Sequence, residues 1–250
     1  EERLKMTLNG IKRSIAALVV VFLASTSYAQ MTSGKIVFYR KMNLKKMFKD
    51  NPRVAPFLDE DVTWHVDSFA LYFNDSASAF VPIESDEPSQ GMMKMLTPQN
   101  TTYKNFNQDE RTVEMVMMGS PMTIKDSLKP RVWKVTESKR KIAGYQCRKS
   151  MLELNDTTRV YAWFTADLVS TAGPEGFDGL PGAILGFANE EGSIVYFAKR
   201  VEAMEPSNEL MKPKGKAKDV FKEEELKALL LEKMGKWIKK EDLDAQFAWL

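Results

Sequence analysis

The sequence predicts an α+β, mainly β fold: a single curved antiparallel sheet of open, half-barrel-like form with an amphipathic C-terminal helix. Three observations carry this. Apolar and polar residues alternate with a period of two over several stretches of the middle of the chain. Those stretches follow one another through short turns rich in Asn, Asp and Gly, which favours antiparallel neighbours. After residue 219 the apolar period lengthens to that of a helix.

Taken in order, the chain opens with Lys12 and Arg13, an apolar run from Ile15 to Ala24, and the small-residue stretch Ser27, Tyr28, Ala29. This is the layout of a secretory signal peptide, with cleavage expected after Ala29. The run is about half the roughly 20 apolar residues that span a bilayer, so it does not read as an anchor. Residues 1–29 are therefore set apart as upstream extension and signal peptide, and residues 30–250 as one domain. Within it, Asn43 to Phe48 reads as a helical turn or two, and Asn51 to Pro56, with two prolines, as an irregular loop. Trp64 and Val66 alternate with His65 and Asp67, and Phe69, Leu71 and Phe73 share a face up to the turn at Asn74 and Asp75. Residues 82–98 read as a mobile surface connection. Val113, Met115 and Met117 alternate with Glu114, Val116 and Met118 in another strand. Tyr145–Leu154 with Thr158–Phe164, and Ala183–Asn189 with Ile194–Val201, read as two hairpins. Residues 206–218 form a Pro, Gly and Lys linker. A helix over about 219–238 follows, with Asp219 as N-cap and an apolar stripe of Leu226, Leu229, Leu230, Met234 and Trp237.

Composition excludes several functions. The 250 residues hold 36 basic and 34 acidic side chains; residues 1–29 account for four of the basic and two of the acidic, leaving 32 of each. A balanced chain has no net electrostatic reason to bind nucleic acid. The single cysteine, Cys147, rules out an internal disulfide and reads as a buried small hydrophobe. The single histidine, His65, rules out a multi-histidine metal site. No nucleophile elbow, Walker loop or dinucleotide fingerprint is present, so no cofactor is expected and the balance tips away from an enzyme. Consecutive acids such as Asp59, Glu60 and Asp61 read as solvated loop charge.

The densest local signal is GPEGFDGLPGAIL over 173–185. Pro174 and Pro181 fix φ, while Gly179 and Gly182 permit positive φ or close backbone approach, so the block reads as a rigid turn feeding a buried strand. Neither a collagen segment nor a phosphate cradle fits it: three triplets are too few, and its two charges, Glu175 and Asp178, are both negative.

With KIAGYQCRKS at 141–150, this block resembles the GLPGLI family, exported proteins of Bacteroidetes-type bacteria with no assigned molecular function. The matching positions are Gly144, Tyr145 and Cys147; Tyr161, Trp163, Phe164 and Thr165; Gly173 and Pro174; and Gly179, Leu180, Pro181, Gly182, Ala183, Ile184 and Leu185. Ala183 stands where the family has leucine, and Gly186 where it has an acidic residue. The resemblance extends to an early strand, Gly34 to Arg40. It implies a periplasmic or extracellular location and an envelope partner such as an outer-membrane transporter. It marks Tyr145, Cys147, Tyr161, Trp163, Gly173, Pro174, Gly179, Leu180, Pro181 and Gly182 as family-motif positions with a possible binding role.

Methionine is abundant, 15 in all, with clusters at 92–95 and 115–122. Such residues suit an adaptable apolar groove. The leading expectation is an exported cell-envelope binding or accessory protein that takes a hydrophobic small molecule or a transport partner. A copper protein using Met115, Met117 and Met118 is the first alternative, because thioethers are soft ligands. A histidine-independent enzyme is the second.

Overall fold

Strands dominate the regular structure because most period-two segments pair with the segment next to them in sequence. The computed structural model describes residues 30–49, 51–52, 54–58, 64–85, 91–117, 119–156, 158–213, 219–235 and 239–250. The predicted signal peptide, Asp59 to Asp61, Met118 and Trp237 lie outside these. In chain order the elements are β1 (Gly34–Met42), α1 (Leu44–Met47), a 3-10 turn (Ala55–Phe57), β2 (His65–Phe73), β3 (Ala77–Pro82), α2 (Gly91–Leu96), β4 (Thr101–Asn105), β5 (Glu110–Met117) and β6 (Ser120–Asp126). There follow β7 (Lys134–Ile142), β8 (Tyr145–Asn155), β9 (Thr158–Thr165), a 3-10 turn (Pro174–Gly176), β10 (Ala183–Asn189), β11 (Ile194–Ala203), β12 (Val220–Phe221), α3 (Glu223–Met234) and α4 (Lys240–Ala248).

The described strands form one open sheet of twelve in the order β12-β6-β5-β4-β3-β2-β1-β11-β10-β9-β8-β7. Neighbours are antiparallel except for the short parallel pair β12 and β6. Two neighbour pairs depart from sequential order, β1 beside β11 and β12 beside β6: the chain lays down β1 to β6 outward, then β7 to β11 inward to close against β1, and β12 returns to the β6 edge. Turn chemistry fits this path. The Asn74 side chain accepts from the Ser76 and Ala77 amides and closes β2 onto β3. Ala143 and Gly144, both at positive φ, form a two-residue connection between β7 and β8.

The sheet is bent into a trough, and its own chain shows this. Five strand spacings separate β4 from β10, about 24 Å in a flat sheet at ~4.8 Å each. A Cβ on Gly173 would lie 2.7 Å from Ile184 Cβ on β10, and one on Gly176 would lie 2.9 Å from Thr102 Cγ2 on β4. The intervening residues span at most about 11 Å, so β4 and β10 face each other across the loop. The core inside includes Phe38, Phe69, Phe80, Phe177, Phe187 and Tyr196. A second apolar cluster joins Val113, Met115 and Ile124 to Leu226, Leu230, Leu243 and Phe247, docking α3 and α4 on β5 and β6.

Several expectations are corrected. Residues 91–96, expected in a mobile connection, are helical, with Leu96 buried. The C-terminal helix starts at Glu223, not at an Asp219 cap: the Asp219 carbonyl instead accepts from Thr123 as β12 joins the sheet, and the Glu225 carboxylate accepts from the Lys222 amide. A second helix, α4, follows beyond the expected span, at Lys240–Ala248. On β2 the odd-numbered face is the inner one throughout, taking His65 and Asp67 inside and leaving Trp64 and Val66 46% and 50% exposed.

Candidate functional site

The inner face of the trough carries a polar row in the middle of an aromatic core. Asp67 on β2, Arg40 on β1 and Tyr196 on β11 are direct cross-strand partners. Arg40 donates from Nε to Asp67 Oδ1 at 2.8 Å and from Nη2 to Asp67 Oδ2 at 2.5 Å, and from Nη1 to the Pro98 carbonyl at 2.8 Å. Its guanidinium lies 4.9 Å from the centre of the Phe69 ring. Gln99 donates to Asp67 at 3.2 Å, and His65 Nε2 stands 3.4 Å from the same carboxylate. The loop after β9 caps this row: Glu175 accepts a hydrogen bond from the Tyr196 hydroxyl and approaches Arg40 to 3.8 Å.

One cation thus serves two buried acids. Burial raises both carboxyls, but for Asp67 the bidentate bond and charge of Arg40 outweigh it and hold the group below the usual range. For Glu175 burial wins, and its pKa is raised. Burial and the nearby Glu175 together push the Tyr196 phenol well above its ordinary value.

The same loop is pinned at a second point. Lys104 on β4 donates to Asp178 at 2.6 Å, and Trp133 Nε1 donates to the Asp178 carbonyl at 2.7 Å. Burial lowers the Lys104 pKa to about 8 against the pull of Asp178. Between the two acids, Phe177 packs on Phe187 at 4.2 Å and on Trp249 at 5.7 Å, with the Arg131 guanidinium 4.0 Å from its ring centre. The loop's negative charges, which exclude a phosphate cradle, meet cations supplied by strands far away in sequence.

The family-motif positions divide into two groups. Gly173, Pro174, Leu180 and Gly182 are buried in the brace across the trough, and Gly179 and Pro181 lie at its exposed turn. Gly182 is required where it stands: φ is +140°, and a Cβ would meet the Thr165 carbonyl oxygen at 2.0 Å. Cys147 is fully buried in the core with Tyr145 packed against it, and burial pushes its thiol up to about 11. Tyr161 and Trp163 alternate with the buried Val160, Ala162 and Phe164 and lie half-buried beneath Lys149, whose ammonium is 4.0 Å and 5.7 Å from their ring centres, with Trp163 also packed against the main core. Gly186 is explained by packing: a side chain there would meet Ile142 Cδ1 at 2.9 Å and Trp163 Cε3 at 3.3 Å.

Of the candidate methionine ligands, Met115 and Met117 lie among the described residues. Met115, 7% exposed, belongs to the apolar cluster under α3 and α4, with Met117 and Met122 packed against it. Among the described residues no group of three or more His, Cys, Asp or Glu could hold a metal ion. The acids inside the trough are each occupied by hydrogen bonds or ion pairs within the fold. This arrangement fastens the loop inside the trough.

A family model described as "Protein of unknown function (Porph_ging)" matches residues 148–186, from β8 through the brace into β10. No curated protein matches the chain in sequence. Among solved structures, the chain is similar to PNGF-II in a C2 crystal form, with a TM-score of 0.51 and 16% identity over 81% of this chain and 32% of that one. PNGF-II in a P21 form gives 0.48 and 14% over 76% and 31%. An uncharacterized conserved protein from Thermus thermophilus gives 0.40 and 6% over 82% and 99%. The chain therefore spans about a third of the length of PNGF-II, and the likeness to the C2 form is one of fold.

Proposed function

We propose that this is an exported cell-envelope binding or accessory protein of the GLPGLI type, and that it works through its outer surface rather than through a cavity. The observation that carries the reading is the filled trough. The concave face that would have received a hydrophobic small molecule is occupied by the protein's own Glu175, Phe177 and Asp178, held by Arg40, Tyr196, Lys104 and Trp133. Of the two occupants expected, an apolar ligand and an envelope partner such as an outer-membrane transporter, this favours the partner. The half-buried Tyr161 and Trp163, with Lys149 over both rings and Arg140 over that of Trp163, offer contact chemistry outside the filled trough. Among the described residues no helix is long and apolar enough to cross a membrane.

Native mass spectrometry of the protein purified from its own envelope tests this. The expected result is a chain beginning at Gln30 in complex with a macromolecular partner, and loss of that complex in Arg140→Glu/Lys149→Glu, with the fold checked by melting temperature. A stoichiometric apolar small molecule in place of a partner would overturn the surface reading. A mature chain that keeps residues 15–24 would overturn export.

A further inference from the structure

The end of the sheet formed by β7 and β8 carries a charge that the chain as a whole does not. From Lys134 to Lys149 there are six cations, Lys134, Lys139, Arg140, Lys141, Arg148 and Lys149, against one acid, Glu137. Lys134 pairs with Glu153 at 3.1 Å, and Arg148 approaches Glu137 at 3.9 Å. Among the described residues no carboxylate pairs with Lys139, Arg140, Lys141 or Lys149. β7 is the last strand of the sheet, and its run from Glu137 to Lys141 is exposed throughout.

The cations are not gathered in a cleft. Successive side chains of a strand point to opposite faces, so Lys139 and Lys141 share one face of β7 and Arg140 takes the other, where it lies 5.8 Å from the Trp163 ring centre. Lys149 adds charge on that second side, over Tyr161 and Trp163. A field spread around both faces of a hairpin does not select one small or linear anion. It matches a diffuse layer of negative charge, to which each nearby Lys or Arg adds attraction. Tryptophan and tyrosine beneath the cations suit the same boundary, where an apolar ring and a polar rim are both accommodated.

We infer that the β7–β8 hairpin docks the protein on an anionic lipid surface through its cations and the phosphate headgroups. This rests on the envelope reading above and names the surface that would be met there. The two can fail separately: a protein partner found by native mass spectrometry without vesicle binding leaves the envelope reading intact and removes this one.

The test is co-sedimentation of residues 30–250 with vesicles of phosphatidylcholine alone or mixed with phosphatidylglycerol. Binding is expected only to the mixed vesicles, and should weaken steeply as salt shortens the screening length. Lys139→Glu/Lys141→Glu is expected to weaken it by about tenfold or more, with the fold checked by melting temperature. Lys45→Glu/Lys94→Glu changes the net charge equally on other elements and should retain binding. Equal loss in both double variants would reduce the effect to net charge and overturn the assignment. So would absence of vesicle binding, or tighter binding to soluble polyglutamate than to the vesicles.

Discussion

Glu175 shows how a single buried acid sets a pH dependence. Its folded pKa is raised by burial, with Arg40 already committed to Asp67. The folded state therefore holds the proton more tightly than the unfolded one, and stability falls as pH rises above the unfolded value toward the raised one. Glu175→Gln removes this fall while keeping an acceptor for the Tyr196 hydroxyl. Urea unfolding at several pH values from about 4.5 to about 8 should show the variant gaining on wild type as pH rises. A difference that does not change with pH would mean that Glu175 is ionised throughout. Cys147 is the opposite case, since its neutral thiol is buried without a charged partner. Cys147→Ala should leave surface binding unchanged, Cys147→Ser, whose hydroxyl is shorter than the thiol that meets the Tyr145 carbonyl at 3.7 Å, should cost about 1–3 kcal/mol, and a thiol reagent should label the protein only on unfolding.

At the scale of elements, the brace between β9 and β10 depends on backbone approach more than on side-chain chemistry. Gly182→Ala places a methyl against the Thr165 carbonyl at a positive φ, which should cost about 3 kcal/mol or more from strain and overpacking together. Pro181→Ala, at an exposed position next to it, should cost no more than about 1 kcal/mol. Thermal or urea unfolding of the two variants measures the contrast; similar losses would mean that the turn as a whole, not the contact, is limiting. The β7 hairpin follows a different logic. Lysines on an exposed edge strand discourage unwanted pairing with other strands, and the same charges supply the lipid-facing field inferred above.

The whole molecule is closed at its β5–β6 end by α3 and α4, and polar contacts accompany the apolar ones there. Arg111 donates to Glu223, to the Leu250 carbonyl at 3.0 Å and to the Ser127 carbonyl at 3.0 Å, while Lys129 reaches Glu223 at 2.8 Å. Glu223→Ala leaves both cations without that carboxylate and should destabilise by about 3 kcal/mol, read by urea unfolding. Met115→Leu/Met117→Leu preserves volume, so it should cost less than about 1.5 kcal/mol per site. Loss of tight monovalent copper binding in that variant would revive the metal reading.

Much of this architecture is legible in the sequence. The hairpins of β8 with β9 and β10 with β11 follow from period two and short turns, and a helix near α3 from its leucine spacing. These are local matters, decided by residues a few positions apart. Even the polar row leaves a trace, because Arg40 has the parity of Ile36 and Phe38, and Asp67 that of Phe69 and Leu71. Parity says which residues share a face, however, and not which face is inside. That choice, and the pairing of Arg40 with Asp67, Lys104 with Asp178 and Arg111 with Glu223 across 27, 74 and 112 positions, belong to the tertiary structure alone. A loop that reads as acidic and self-contained becomes the filling of the trough because the bent sheet brings distant strands, and their cations, to it.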